Sequence, residues 1–217
     1  MLNNIVINND EHVFIAGMTG CGKTLLAEVY TAGMDSVIKI DTKQEYTSKR
    51  DKGEEPWYGL VEGEDYEVCF SLEDVFNCEA EKIIYEVPWH EQEEDYYNQL
   101  FEWVYKNGDM RVWIDELMSV CPSSQTTPKW LRAILTAGRS RNATAIMCTQ
   151  RPVGIPALCI ANSMHYFVFA LPQDNDRKKM VDVTGCIELR EKPEKFVFWY
   201  YMQGMDEGEA VQATLEI

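Results

Sequence analysis

The sequence contains no run approaching the ~18 apolar residues of a membrane span, and it does not open on a positively charged stretch followed by an apolar one. These absences predict a soluble, intracellular protein. Histidine is scarce. His12, His90 and His165 stand far apart, which argues against a histidine metal centre and predicts surface or hydrogen-bonded side chains. The seven cysteines are odd in number and lack C-x-x-C spacing, so neither a disulfide framework nor a zinc ribbon is indicated. Reduced thiols that fill the core are expected. Positive charge is also in short supply: 20 Lys and Arg face 36 Asp and Glu, a net charge of −16. A surface this acidic repels nucleic acid unless its basic residues converge, so any such contact must be local. No internal repeat or long low-complexity tract appears. At 217 residues the chain suits one α/β domain over 1–217, with a motif core near 11–170 and closing strands near 195–217.

What is present is a loop. Gly17-Met18-Thr19-Gly20-Cys21-Gly22-Lys23-Thr24 matches the phosphate-cradling pattern G-x-x-x-x-G-K-[ST], with Val13 to Ala16 reading as the strand before it and Leu25 to Tyr30 as the helix after it. The glycines let backbone N–H groups close round phosphates, and the helix start adds partial positive charge. Lys23 is expected to reach the β- and γ-phosphates and the Thr24 hydroxyl to hold Mg²⁺.

A second strand, Ser36 to Ile40, ends on the polar set Asp41 to Tyr46, at the kind of strand end where ligands gather in open α/β sheets. Thr42-Lys43-Gln44-Glu45 superficially resembles the base-reading motif of GTPases, but it ends in Glu and comes too soon, which favours ATP. Ser48 to Gly63 reads as a solvated, charged loop. Tyr66 to Phe70 and Lys82 to Val87 read as strands. In the helix predicted over Glu91 to Lys106, Tyr97, Phe101, Val104 and Tyr105 share a face, which is expected to pack on the sheet rather than stack on bases.

Val112-Trp113-Ile114 then runs into Asp115-Glu116. Apolar residues closing on two acids form a Walker B arrangement, in which Asp115 holds Mg²⁺ and Glu116 acts as general base toward a water. A loop from Met118 to Pro128 and a helix from Lys129 to Ala137 lead to Gly138-Arg139-Ser140-Arg141. Ala143 to Cys148 reads as a buried strand delivering Thr149-Gln150-Arg151-Pro152. If that strand lies beside those of the loop and of Asp115, the Gln150 amide can reach a γ-phosphate or its water, with a donor and an acceptor suited to sensing it. Met164 to Ala170 (strand), Asn175 to Val183 (helix, with Arg177-Lys178-Lys179 as a solvated basic face) and a terminal hairpin of Phe196 to Tyr201 and Ala210 to Leu215 complete the chain.

Taken in order, Gly17 to Thr24, Asp41 to Tyr46, Ile114-Asp115-Glu116 and Gly138-Arg139 through Thr149-Gln150-Arg151-Pro152 resemble the FtsK–HerA superfamily of DNA-pumping ATPases. The short length looks most like the genome-packaging ATPases of tailless, internal-membrane double-stranded DNA viruses. The resemblance implies a RecA-like (ASCE) P-loop NTPase, an α/β fold with a mainly parallel sheet flanked by helices. It further implies ATP and Mg²⁺, and a homo-oligomeric ring, hexameric or pentameric, with double-stranded DNA in its pore. A viral capsid or portal-vertex protein would be the partner, in the host cytoplasm or at the packaging vertex. Gln150 resembles the superfamily's γ-phosphate sensor, and Arg139 or Arg141 its finger entering a neighbour's site. The negative charge departs from what a DNA motor needs and fits a pore surface formed only on assembly, or docking to a basic capsid partner. Three other readings stay open: a cellular or plasmid DNA pump, a P-loop kinase with Arg139, Arg141 and Arg151 as lid arginines, and a nucleotide-dependent assembly switch.

Overall fold

The computed structural model describes residues 5–215, so the first four and last two residues of the 1–217 range fall outside it. Among the described residues there are nine strands: β1 (Val13–Ala16), β2 (Val37–Asp41), β3 (Glu67–Cys69), β4 (Lys82–Glu86), β5 (Met110–Ile114), β6 (Ala143–Thr149), β7 (His165–Phe169), β8 (Val197–Met202) and β9 (Val211–Thr214). The helices are α1 (Lys23–Ala32), α2 (Glu45–Lys52), α3 (Leu72–Asn77), α4 (Glu94–Asn107), α5 (Leu117–Val120), α6 (Lys129–Ala137), α7 (Ala157–Ala161) and α8 (Asp174–Thr184). All strands join one sheet in the order β3-β4-β2-β5-β6-β1-β7-β8-β9. The pairs from β3 to β7 are parallel, whereas β8 and β9 add an antiparallel hairpin. The expected α/β class, mainly parallel sheet and terminal hairpin are all found.

Parallel strands covered on both faces read as continuous apolar runs, and β1, β6 and β7 are buried at every position. Alternate residues serve opposite faces. Phe14 and Ala16 join Val112, Ile114 and Met147 beneath α4 and α6, while Val13 and Ile15 join Trp113, Ile146 and Phe167 beneath α1. The aromatic face of α4 does pack on the sheet: Tyr97, Leu100, Phe101 and Val104 are buried, each such side chain contributing about 1.5–3 kcal/mol. The seven cysteines are free, and all but Cys78 are buried. His12 and His165 are buried and hydrogen-bonded, and His90 is exposed.

Three expectations need correction. Ser48 to Gly63 is not wholly a solvated loop: it begins inside α2 and carries Trp57, fully buried, whose indole N–H donates to Thr31 Oγ1 at 3.1 Å. Residues 118–128 are not all loop, because α5 adds one helical turn after Glu116. The basic face of α8 is solvated only in part, since Arg177 donates to the Leu171 carbonyl at 2.6 Å. Beneath β2, Lys39 is fully buried yet paired, 3.5 Å from Glu28 and stacked over Trp113 at 4.4 Å, which ties α1 to the sheet.

Candidate functional site

The site lies at the carboxyl ends of β1, β2, β5 and β6. The loop leaves β1 with Gly17 N donating to Thr149 O at 3.1 Å and Met18 N to Ala170 O at 2.9 Å, so both flanking strands hold its first turn. Gly22 caps α1 at φ 107°, a left-handed conformation that favours glycine, and a Cβ there would meet Leu215 of the hairpin at 2.7 Å. No side chain caps α1 and no acid occupies its first turn. Its N–H groups and dipole therefore face the loop's interior, the arrangement that binds phosphate. Lys23 is buried, with Nζ donating to the Met18 carbonyl at 3.0 Å across the loop. Beside the loop, Met18, Gly20 and Cys21 form one wall of a cleft of about 360 Å³, and Ala170, Pro193 and Lys195 form the other. A larger open groove of about 820 Å³ begins at Thr24 and runs between α1 and α2.

Strand order sets the distances across the site. With β6 between β1 and β5, the Asp115-Glu116 pair faces the loop with Gln150 between them. Thr24 Oγ1 donates to Asp115 Oδ1 at 3.3 Å. Thr19 Oγ1 donates to Gln150 Oε1 at 2.7 Å, and Gln150 Nε2 donates to Glu116 Oε2 at 3.1 Å. The amide thus uses donor and acceptor at once. Lys43 closes the circuit, its ammonium 3.0 Å from Asp115 Oδ2 and 3.4 Å from Glu116 Oε2. Burial works to lower the Lys43 pKa, but the Asp115 and Glu116 charges and the hydrogen bond to Asp115 prevail and hold it above the ordinary lysine range. Glu45 shifts upward, first through burial and then through the Asp115 charge. Glu116 Oε1 is buried with no hydrogen-bond partner among the described residues.

Sequence reasoning assigned no role to Lys43, although the polar set containing it was conspicuous. The missing signal is a turn. Asp41 Oδ1 accepts from Lys43 N at 3.1 Å and Asp41 Oδ2 from Tyr46 N at 2.8 Å, which aims residue 43 at the acids.

A divalent cation can be tested against these donors. Among the described residues no group of three or more His, Cys, Asp or Glu side chains could form a cage. One hydroxyl and one carboxylate converging at 3.3 Å fit Mg²⁺, which keeps several waters and takes substrate phosphates as its remaining ligands.

Arg139 and Arg141 are not in this cluster. They sit in a 3₁₀ turn (Gly138–Arg141) before β6, at the opposite end of a seven-residue strand, roughly 20 Å from the loop. Gly138 is required by close approach, because a Cβ there would lie 2.1 Å from the Ala143 carbonyl oxygen. Arg139 reaches Asp10 at 3.6 Å, and the Arg141 guanidinium lies over the Tyr105 ring at 5.0 Å. Neither can serve as a lid over the loop of its own chain. Arg151 is at the right end but is held by α8, with Nε donating to Asp176 Oδ2 at 2.9 Å.

No protein family and no curated protein matches the chain by sequence. Solved structures do match. The chain is similar to the genome packaging NTPase B204 from Sulfolobus turreted icosahedral virus 2, solved with AMPPCP, with a TM-score of 0.70 and 18% identity over 97% of this chain and 100% of that one. It is also similar to VirB4 of Thermoanaerobacter pseudethanolicus, with a TM-score of 0.64 and 11% identity over 98% of this chain and 93% of that one. The pCW3 conjugation coupling protein TcpA, solved with ATPγS, gives a TM-score of 0.62 and 14% identity, covering 98% of this chain and 62% of that one. At these identities the likeness establishes architecture: this chain has the fold that B204, VirB4 and TcpA share.

Proposed function

We propose that this protein is an ATP-hydrolysing motor that drives double-stranded DNA and packages a viral genome into a preformed capsid. The observation that carries this reading is the polar circuit Thr19–Gln150–Glu116–Lys43–Asp115–Thr24, which starts and ends on the phosphate loop. The start of α1 and Lys23 bind the β- and γ-phosphates of ATP, and the cleft beside Met18 and Pro193 has room for the base. Thr24 and Asp115 would hold Mg²⁺, which would supply positive charge to neutralise that of the phosphates. Glu116 takes a proton from the attacking water as its oxygen bonds to the γ-phosphorus and the bond to the ADP oxygen breaks. Gln150 links Glu116 to the loop, so the base is positioned by the element that feels the γ-phosphate.

Arg139 or Arg141 completes a neighbour's site by neutralising charge on the transferred phosphoryl group, which requires a ring of identical subunits. Their placement away from the loop of their own chain supports that role and weighs against lid arginines. Similarity to B204, a genome packaging NTPase, supports the packaging reading. The whole of residues 1–217 then acts as one motor domain on a capsid or portal-vertex protein in the host cytoplasm, with DNA gripped by a pore formed on assembly. No described helix is long and apolar enough to cross a membrane.

Phosphate release by the assembled protein, measured with and without double-stranded DNA and with a small phosphoryl acceptor, separates the readings. Turnover stimulated by DNA and indifferent to the acceptor is expected. Equal turnover with and without DNA in an assembled ring would contradict the motor.

A further inference from the structure

Of the charged groups in the circuit, Lys43 has no part in the reaction described above, yet its placement is specified from several directions. Asp41, fully buried at the end of β2, accepts from the backbone N–H of both Lys43 and Tyr46. Gln92 Nε2 holds the Thr42 carbonyl at 3.0 Å, and Thr42 Oγ1 donates to Ser119 Oγ at 3.2 Å, binding the turn to the segment that follows Glu116. Gln44 adopts a left-handed φ of 58°, a conformation that carries a cost and persists only where its surroundings impose it. These constraints deliver one ammonium between two carboxylates, with its side chain one-third exposed and so free to leave toward solvent.

The ammonium and a divalent cation seek the same oxygens. Asp115 presents Oδ1 to Thr24 and Oδ2 to Lys43, so the carboxylate that fits Mg²⁺ is already ion-paired on its other oxygen. The same ammonium attracts Glu116 Oε2, one of the two oxygens of the general base. We infer that Lys43 is a built-in counter-ion that competes with the divalent metal for the Asp115–Glu116 pair and holds Glu116 in reserve until a metal–nucleotide complex displaces it. Without such an occupant, adjacent carboxylates on a strongly acidic protein attract metal unaccompanied by nucleotide. Lys43 thereby couples metal binding to nucleotide binding. This inference rests on Thr24 and Asp115 as the metal seat, and its test separates the two.

The experiment is a Mn²⁺ titration of the full chain without nucleotide, followed by the loss of the free-ion EPR signal. It uses wild type, Lys43→Gln, Lys43→Met and Lys43→Arg, with Asp115→Asn added in each background. Thermal unfolding checks that each variant is folded, and the two neutral variants back each other up. Either neutral variant is expected to bind Mn²⁺ at the Asp115-dependent site at least tenfold more tightly than wild type, with Lys43→Arg restoring the wild-type value. Asp115-dependent affinity that is equal to or weaker than wild type in the neutral variants overturns the role of Lys43 and leaves the seat intact. Mn²⁺ binding that survives Asp115→Asn in every background removes the seat, and the inference with it.

Discussion

The two ends of the sheet both gather polar groups but use them differently: at the amino ends they are buried, at the carboxyl ends most are partly or fully exposed. At the carboxyl ends, Thr19, Thr24, Lys43, Asp115, Glu116 and Gln150 are linked to one another around a common centre beside the phosphate loop, with only Glu116 Oε1 left unpartnered among them. At the amino ends the buried polar side chains bond to separate partners, and His12 Nε2 and Arg111 Nε have none among the described residues. His12 Nδ1 accepts from Ala145 N at 3.0 Å, His165 lies between the Tyr200 hydroxyl and Glu11, and Arg111 donates to Asn9. Exposed at that end are Arg139 and Arg141, in a turn at the far end of β6 from the chain's own loop. Convergence marks a site; burial of polar groups alone does not. The arrangement also suggests how a ring would be wired, one subunit offering carboxylates and its neighbour offering guanidinium.

Breaking the exposed amino-end feature should have the largest effect. Arg139→Ala in the assembled protein should lower ATP turnover by about 10³-fold or more while leaving nucleotide affinity nearly unchanged, as measured by phosphate release and fluorescent-nucleotide binding. If Arg141→Ala alone has that effect, the finger role passes to Arg141. At the other end, Glu116→Gln removes the proton acceptor but preserves shape and the hydrogen bond from Gln150. Turnover should fall by about 10²–10⁴-fold with ATP retained, and normal turnover in this variant would remove Glu116 as the base.

The smallest effect concerns stability rather than chemistry. Burial, and secondarily the Arg139 charge, depress the His12 pKa to about 4 from 6.5. Folding therefore favours neutral His12. Its contribution is fully present above pH 6.5 and is lost as the pH falls toward 4, where the unfolded chain takes up a proton that the folded one refuses, a difference of about 3 kcal/mol. Denaturant unfolding at pH 7 and pH 4 should show wild type losing about that much more stability than His12→Gln. Parallel losses in the two proteins would mean that His12 does not titrate as its burial implies.

Much of this was legible in the sequence, for physical reasons. The loop, Asp115-Glu116 and Gln150 each follow a buried apolar strand, and parallel strands bring such carboxyl-end residues to one edge. Helix α6 was readable to its bounds because its apolar face recurs at helical spacing. The sequence hid α2, whose residues are polar on every side and bury only Tyr46. That helix is held by Glu86, which accepts from Thr47 N and Thr47 Oγ1 across 39 residues, a contact no local pattern reveals. The burial of Trp57 depends on the same long-range packing. Helix α3 carried a readable start signal, Ser71 accepting from Asp74 N, but it is only six residues long. Lys43 escaped notice because its meaning lies in the turn that aims it rather than in its spacing.

The central claim, that each chain carries half of a catalytic site, can be tested by mixing two inactive proteins. Glu116→Gln keeps its arginines and Arg139→Ala keeps its carboxylates, so random co-assembly builds an intact hybrid site at roughly one interface in four. Phosphate release from the co-assembled mixture should rise well above that of either parent alone. A mixture as inactive as its parents, in rings shown to contain both subunits, would contradict a site shared between neighbours.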